Sequence, residues 1–431
     1  MIFIDSFTGL TLSRSSKTVL SVGTVLYSIC ILYRKPLIGL EIAFNMSKKL
    51  DYSSADFIES TPNWLSKANK NSKFDDLLRN GWDKAMEEGV FRYTMGHLET
   101  KILDGPKQYV AQLNVKRATD RRQPQNITSL NQPFNPDTFN FTKIKETEIL
   151  LTINNTDDEK SSNNKEIKNC LTPVQDRNLI IVNISPLEYG HVLVVPQVDS
   201  CLPQILTRKA LQVALETVLL SARRSFRLGF NSLCAYASVN HQHFHAYYLE
   251  HELVVEYGPV QHITGVLYQS DVMPVPGFVF QTHENSVSTL TRVIHKITQY
   301  FQKNEIAHSV LLTRGAVFNE DKTSDNRTVR IYVWPRQKFK GSKSLVELHV
   351  AVIELGGHLP IKGMPPEAFN VAVVEMGGHL PIKDENSYKN MTEKEADSII
   401  ETAKLPEEEF QKIKSDVTKI VFEDSEDKND S

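Results

Sequence analysis

Three histidines, His241, His243 and His245, alternate with other residues in the segment NHQHFHAYYL, residues 240–249. Alternate side chains of a β-strand share one face and recur about every 7 Å, so this spacing predicts three imidazoles lining one surface. Imidazole can act as a nucleophile, as an acid or base near neutral pH, or as a metal ligand. The triplet is therefore the first candidate for an active site.

Three interpretations of the triplet compete. It can be a polar strand face in contact with solvent, or a metal site, since alternate histidines can chelate zinc. No cysteine or convincing carboxylate ligand lies close to it in the sequence, which disfavours a metal. The favoured interpretation is nucleophilic catalysis at phosphorus, in which a neutral imidazole forms a phosphoramidate and its neighbours fix its tautomer or move a proton. We expect no metal and no cofactor.

A second segment, SPLEYGHVLVVP at residues 185–196, precedes the triplet. Pro186 and Gly190 bracket a turn between two apolar runs, and His191 opens the second run. Residues 206–230, between the segments, repeat apolar side chains at helical spacing, which predicts one amphipathic helix. Gly229 would end this helix. Its polar face would carry Arg223, Arg224 and Arg227. Residues 233–249 are then predicted to be strand.

Together, the two segments resemble the histidine-triad superfamily, with its P-x-x-x-G-H-x-L-x-x-P strand pair and its alternating histidines. A closer resemblance, from about Leu50 to Phe422, is to the GDP-sugar phosphorylases. It is carried by the segments FDDLLRNGWDKAMEEGVFRY, QPFNPDTFNFTKI, VNISPLEYGHVLVVP, GFNSLCAYASVNHQHFHAYYL, PGFVFQ and RIYVWPR. The resemblance implies an α+β fold of the histidine-triad and uridylyltransferase type, with antiparallel sheets and flanking helices in two related halves.

The resemblance also implies a reaction, the phosphorolysis of a GDP-hexose, which is GDP-D-glucose in the animal group. His243 would attack the guanylyl phosphorus and release hexose 1-phosphate, and inorganic phosphate would then take the guanylyl group to give GDP. His241 and His245 would bind phosphoryl oxygens or orient His243. The plant phosphorylases have glutamine where this chain has His245, whereas the hydrolytic histidine-triad enzymes have histidine. A nucleotide hydrolase therefore stays an alternative, as does a guanine-nucleotide-binding regulator without turnover.

Further side chains are candidates for substrate contacts because they lie in or beside these segments: Asn183, His191, Ser238, Asn240, Lys143 and Arg336. Arg314 and Arg330 are weaker candidates for neutralising phosphate. For each of these residues a structural or solvent-exposed role is the alternative. The sequence has no glycine-rich phosphate loop, so the histidines and their neighbours would have to bind the phosphates.

Composition narrows the class of protein. The chain has 431 residues and a net charge of −3, so we expect no nucleic-acid partner and no specific membrane partner. Four scattered cysteines without a Cys-x-x-Cys pair fit a reducing compartment and predict a cytoplasmic location. The expected partners are the GDP-hexose and inorganic phosphate. A homodimer is left open.

The expected organisation places a catalytic domain before a second domain that carries a repeat. VAVIELGGHLPIK at 350–362 recurs as VAVVEMGGHLPIK at 371–383, and we expect the second copy to fill the core position. The predicted units are an N-terminal extension (1–45), a catalytic domain (46–260) with a disordered loop (154–168), a C-terminal domain (261–422) and a charged tail (423–431). The extension is interpreted as an accessory or mis-assigned start, a membrane anchor or a packed helix.

Overall fold

The computed structural model describes residues 48–68, 70–122, 124–158, 176–339 and 368–426. Its strands are β1 Lys48–Tyr52, β2 Thr100–Ile102, β3 Val110–Leu113, β4 Ile149–Asn155, β5 Asn178–Val182, β6 Val192–Val195, β7 Phe226–Asn231, β8 Phe244–Tyr248, β9 Gln261–Thr264, β10 Leu267–Ser270, β11 Gly277–Gln281, β12 Ala307–Ala316, β13 Arg327–Arg336 and β14 His379–Ile382. Its α-helices are α1 Lys73–Glu87, α2 Val115–Thr119, α3 Arg208–Leu220, α4 Val287–Lys303, α5 Val373–Met376, α6 Glu385–Asn390, α7 Glu393–Glu401 and α8 Glu407–Glu426.

A large sheet runs through both predicted halves of the chain. Its strand order is β1-β4-β5-β6-β8-β7-β12-β13-β11-β10-β9, and the two halves join where β7 pairs antiparallel with β12. Its neighbouring strands are antiparallel, apart from the parallel pair of β1 and β4. A small sheet has the order β14-β3-β2, with β14 parallel to β3. The predicted α+β class with antiparallel strands and flanking helices is confirmed.

The two faces of the large sheet pack against different partners. Phe226, Leu228 and Phe230 of β7 belong to one buried cluster, which also contains apolar residues of α1, α3, α4 and α8. Leu311 of β12 belongs to a second cluster, together with residues of β3, α5 and β14 such as Val110. Because successive side chains of a strand point to opposite faces, the small sheet and α5 cover the face opposite the long helices.

The prediction of one helix over residues 206–230 is wrong. Helix α3 ends at Leu220, Ser221 is extended, and the next regular element is strand β7. Every second residue of β7 is apolar, which is the pattern of a strand. This short pattern follows the helical pattern of α3 so closely in the sequence that it can be taken for its continuation. Arg227 does not lie on a polar helix face, because its Nε is 2.7 Å from Glu256 Oε1 and both side chains are fully buried. Gly229 lies within a strand, where an added Cβ would be 2.6 Å from Val373 Cγ1.

Several predicted features lie partly or wholly outside the described residues. These are the extension at 1–45, most of the loop at 154–168, the first copy of the repeat at 350–362 and the end of the tail. The second copy forms α5 and β14 and is almost entirely buried. Within the described part of the chain, no helix has the length and hydropathy that a membrane span requires. The strand predicted over 233–249 is shorter, since only Phe244–Tyr248 forms β8.

Candidate active site

A cavity lies between the large sheet and the segment that contains α5 and β14. His243 and His245 line it from the large sheet, and Val373 and Lys383 line it from the opposite side. The strands β6 and β8 pair antiparallel and set Leu193 opposite His245. The cavity therefore brings the histidine segment together with the second copy of the repeat.

His243 is held in the tautomer that a nucleophile needs. Its Nδ1 lies 2.7 Å from the main-chain oxygen of His241. A carbonyl oxygen can only accept a hydrogen bond, so Nδ1 carries the ring proton and the lone pair is on Nε2. The main-chain N–H of His243 donates to Gln204 Oε1 at 2.8 Å, which fixes the backbone just before β8. A neutral imidazole with its lone pair on Nε2 can attack phosphorus.

His245 is oriented by His191, which lies directly before strand β6. The main-chain N–H of Leu187 donates to His191 Nδ1 at 2.9 Å, so the proton of this ring is on Nε2. Nε2 of His191 lies 3.0 Å from Nδ1 of His245 and donates to it. The remaining proton of His245 is then on its Nε2. Burial lowers the pKa of His191 well below its ordinary value, which keeps this donor ring neutral.

His241 acts on the site through its backbone, because its ring is not part of the cavity lining. Nδ1 of His241 accepts a hydrogen bond from the main-chain N–H of Phe141 at 3.0 Å, and the ring stacks on Phe141. Burial lowers the pKa of His241 to about 4. The strand begins only at Phe244, so strand alternation does not extend back to His241. The expected surface of three imidazoles is therefore one of two rings.

Of the other predicted contact residues, Asn183 and Ser238 line the cavity. Asn183 Oδ1 accepts from the main-chain N–H of Ser185 at 3.1 Å, and its Nδ2 lies 3.3 Å from His191 Nε2. His191 itself is fully buried and touches the site through His245.

Three predicted contact residues do not line the cavity. Their side-chain nitrogen atoms donate to backbone carbonyl groups instead. The side-chain amide of Asn240 donates to Gln132 and Pro133, at 2.9 and 2.8 Å. The ammonium group of Lys143 donates to the loop carbonyls just before it. The guanidinium of Arg336 donates to the carbonyl of Val371 and is buried.

The weaker candidates Arg314 and Arg330 are also structural. Both side chains are fully buried in the large sheet. Arg314 donates to the carbonyl groups at the end of α3, for example Ser221 at 2.9 Å. Arg330 donates to the carbonyls of Ala316 and Gly258, both at 2.8 Å. These arginines therefore hold loops and helix ends in place.

Basic residues that the sequence did not single out line the cavity: Arg117, Arg121, Arg122 and Lys383. Glu375 is the carboxylate among the lining residues. Burial lowers the pKa of Arg121 to about 10, and the neighbouring charge of Arg117 acts in the same direction. Three arginines within residues 117–122 are the signal in the sequence that could have indicated this basic lining. Within the described ranges, no group of three or more metal-ligating side chains could hold a metal ion.

Comparisons with known proteins give the family. A family model described as "GDPGP1-like, N-terminal domain" matches residues 73–247, and one described as "GDPGP1-like, C-terminal domain" matches 267–365 and 363–423. GDP-D-glucose phosphorylase 1 of Danio rerio is 38% identical over 373 residues, which are 86% of this chain and 98% of that protein. The chain belongs to the GDP-D-glucose phosphorylase family. The resemblance seen in the sequence is confirmed, as is the prediction of an enzyme of the nucleotidyltransferase type.

Other members of this family and more distant proteins are also similar. GDP-D-glucose phosphorylase 1 of Bos taurus is 42% identical over 297 residues, covering 68% of this chain and 74% of that protein. GDP-L-galactose phosphorylase 2 of Arabidopsis thaliana is 30% identical over 339 residues, covering 75% and 74%. A solved structure of yeast Ap4A phosphorylase Apa2 with AMP aligns with a TM-score of 0.48 at 16% identity, covering 79% of this chain and 98% of that chain.

Proposed function

We propose that this enzyme catalyses phosphorolysis of GDP-D-glucose by inorganic phosphate, giving GDP and glucose 1-phosphate through a guanylyl-His243 intermediate. One observation supports this most directly. The 2.7 Å bond from His243 Nδ1 to the His241 carbonyl leaves the ring lone pair on Nε2, in a residue that lines a cavity rich in arginine. The names of the relatives, phosphorylases of GDP-D-glucose and GDP-L-galactose, support the substrate class.

In the first step, His243 Nε2 attacks the α-phosphorus of GDP-D-glucose, which is bonded to the guanosine. A P–N bond forms, and the bond from the α-phosphorus to the bridging oxygen breaks. Glucose 1-phosphate leaves with that oxygen and its electron pair. A phosphate is a weak base, so this leaving group needs little protonation, and positioning and charge neutralisation dominate catalysis.

In the second step, an oxygen of inorganic phosphate attacks the guanylyl phosphorus. A P–O bond forms, the P–N bond breaks, and GDP leaves while the lone pair returns to Nε2 of His243. The ring is neutral again, with its other proton still on Nδ1 and donated to His241. The same nitrogen therefore serves as nucleophile in the first step and as leaving group in the second.

The surrounding residues stabilise the charge that moves in both steps. Nε2–H of His245 can donate to a non-bridging oxygen, since Nδ1 of that ring accepts from His191. Arg117, Arg121 and Lys383 line the same cavity and can neutralise the phosphates of substrate and acceptor. Asn183 and Ser238 are proposed as further polar contacts to the nucleotide.

Turnover assays separate this function from a hydrolase and from a binder without turnover. Purified protein is mixed with GDP-D-glucose, with and without inorganic phosphate, and the nucleotide products are identified. Phosphate-dependent GDP release supports the proposal, GMP release into water supports the hydrolase, and binding without any product supports the regulator. The variant His243→Ala is expected to lose turnover and keep nucleotide binding. The cytoplasmic location remains a prediction from the cysteine content.

A further inference from the structure

A chain of buried polar side chains crosses the apolar interior beside the cavity. Tyr247 of β8, His379 of β14 and Gln112 of β3 are at most 4% exposed. The hydroxyl of Tyr247 lies 3.2 Å from His379 Nδ1, and His379 Nε2 lies 2.6 Å from Gln112 Oε1. Gln112 Nε2 continues the chain to Glu188 Oε2 at 2.5 Å.

The donor and acceptor roles along this chain are consistent from end to end. The amide nitrogen of Gln112 donates to Glu188 and to Thr100 Oγ1, so its Oε1 accepts from His379. His379 therefore carries its proton on Nε2, and its Nδ1 accepts from the hydroxyl of Tyr247. Burial, with the nearby charges of Arg227 and Arg117, lowers the pKa of His379 to about 3, so the ring is neutral at physiological pH. Every member of the chain is hydrogen bonded.

His379 stands between two parts of the cavity wall. Val373 and Glu375 line the cavity before it in the sequence, and Pro381 and Lys383 line it afterwards. Within the wall, β14 pairs with β3 over only four residues. A strand this short makes few backbone bonds, so the side-chain bonds of His379 add to the contacts that hold the wall in position, such as the bond from the Val373 N–H to Asn231 Oδ1.

The other end of the chain lies against the catalytic histidines. Tyr247 follows His245 by two residues on β8, and its ring centroid is 6.1 Å from that of His191. Glu188 belongs to the turn that ends at His191. The polar chain therefore ties the wall formed by residues 373–383 to both elements that carry the His191–His245 pair.

We propose that His379 is a positioning residue, which holds the wall formed by residues 373–383 at the distance from His243 that the sugar nucleotide requires. It acts through Tyr247 and Gln112 and touches no substrate. A buried network of this kind specifies one arrangement when all of its members are satisfied, and loses that arrangement when one partner is removed. The identity of the ligand in this proposal, the sugar nucleotide, rests on the proposed function.

Two substitutions separate the two bonds of His379. His379→Asn keeps an acceptor toward Tyr247 and loses the donor toward Gln112, whereas His379→Gln keeps the donor and loses the acceptor. Tyr247→Phe removes one hydroxyl and tests the same bond from the other side. For each variant we expect KM for GDP-D-glucose to rise about tenfold while kcat changes less than about threefold, because a displaced wall weakens substrate and transition-state binding alike. The double variant Tyr247→Phe/His379→Gln should show less than the product of the two single effects.

His308→Gln is the matched control. His308 is equally buried, but its Nδ1 bonds the carbonyl of Ile306, which lies outside the wall formed by residues 373–383. It should lower Tm and leave KM unchanged. An unchanged KM in all three site variants, or an equal rise in the control, would overturn the positioning role.

The same variants can be tested without turnover. On a His243→Ala background, the Kd of GDP-D-glucose, measured by titration calorimetry, should rise by a similar factor. Failure of the proposed function appears as wild-type protein without phosphate-dependent GDP release. Failure of the positioning role appears as an unchanged Kd in the variants.

Discussion

Nε2 of His191 lies 3.0 Å from Nδ1 of His245, and the direction of this hydrogen bond is fixed by the Leu187 N–H that His191 accepts on its other nitrogen. The turn that the sequence places before the second apolar run thus decides where the proton of His245 resides. A residue outside the cavity lining sets the chemistry of a residue within it.

Replacement of His191 tests this relationship. In His191→Ala, His245 loses the donor that keeps its proton on Nε2, so a fraction of the molecules presents an acceptor to the substrate phosphate. We expect kcat to fall about 10- to 100-fold with a smaller change in KM. His262→Ala is the control, since His262 is exposed on the edge strand β9. An unchanged kcat in His191→Ala would contradict the proton assignment.

The basic residues that line the cavity should bind the phosphate substrate. Arg121→Gln removes one cavity charge, and we expect KM for inorganic phosphate to rise about tenfold or more, since charge-assisted contacts of this type are strong. The rise should shrink at high salt, where screening weakens the wild-type attraction. Arg208→Gln, at the start of α3 and outside the cavity lining, is the matched control. Equal KM values for wild type and Arg121→Gln would exclude Arg121 from the phosphate site.

The contact between β7 and α5 should be intolerant of one added methyl group. A Cβ on Gly229 would lie 2.6 Å from Val373 Cγ1, so Gly229→Ala is expected to lower the free energy of unfolding by about 1–3 kcal/mol. Val373→Ala in the same chain should restore most of this loss, because the clashing methyl groups are gone. Denaturant titration of the two single variants and the double variant measures the coupling. Additive losses would show that the two residues do not meet.

The buried histidines make stability depend on pH. Burial lowers the pKa of His308 to about 4, below the ordinary value of 6.5, so the unfolded chain binds this proton first as pH falls. Stability from this group is full above pH 6.5 and is lost between pH 6.5 and 4. Near pH 5 the group contributes about 1 kcal/mol of unfolding free energy per pH unit. His308→Gln should show a slope smaller by this amount, and an unchanged slope would contradict the assignment.

The sequence was sufficient to single out His243, the proposed nucleophile, because the relevant information is local. His243 and His245 are two residues apart, and the turn around Gly190 and His191 is encoded by adjacent residues. Such patterns can be recognised without knowledge of the tertiary structure. The role of the His241 carbonyl was not visible, because strand alternation in the sequence gave no sign that β8 begins only at Phe244.

The basic residues could not be sorted from the sequence, because long-range contacts decide their environment. Arg314, Arg330 and Arg336 are buried and donate to backbone carbonyls that are distant in the sequence, whereas Arg117 and Arg121 line the cavity. The sequence-based prediction continued helix α3 through β7 for a related reason. The partner that identifies β7 as a strand is β12, which lies far along the chain.

Mass spectrometry of the proposed enzyme–guanylyl adduct, which as a phosphoramidate would be acid-sensitive, tests the central claim most directly. Protein is incubated with GDP-D-glucose in phosphate-free buffer, quenched at alkaline pH, digested and sequenced by fragmentation. The proposed mechanism predicts a guanylyl group on Nε2 of His243, absent in His243→Ala, and released as GDP when inorganic phosphate is added before the quench. A guanylyl group on another residue, or the same labelling in His243→Ala, would contradict it.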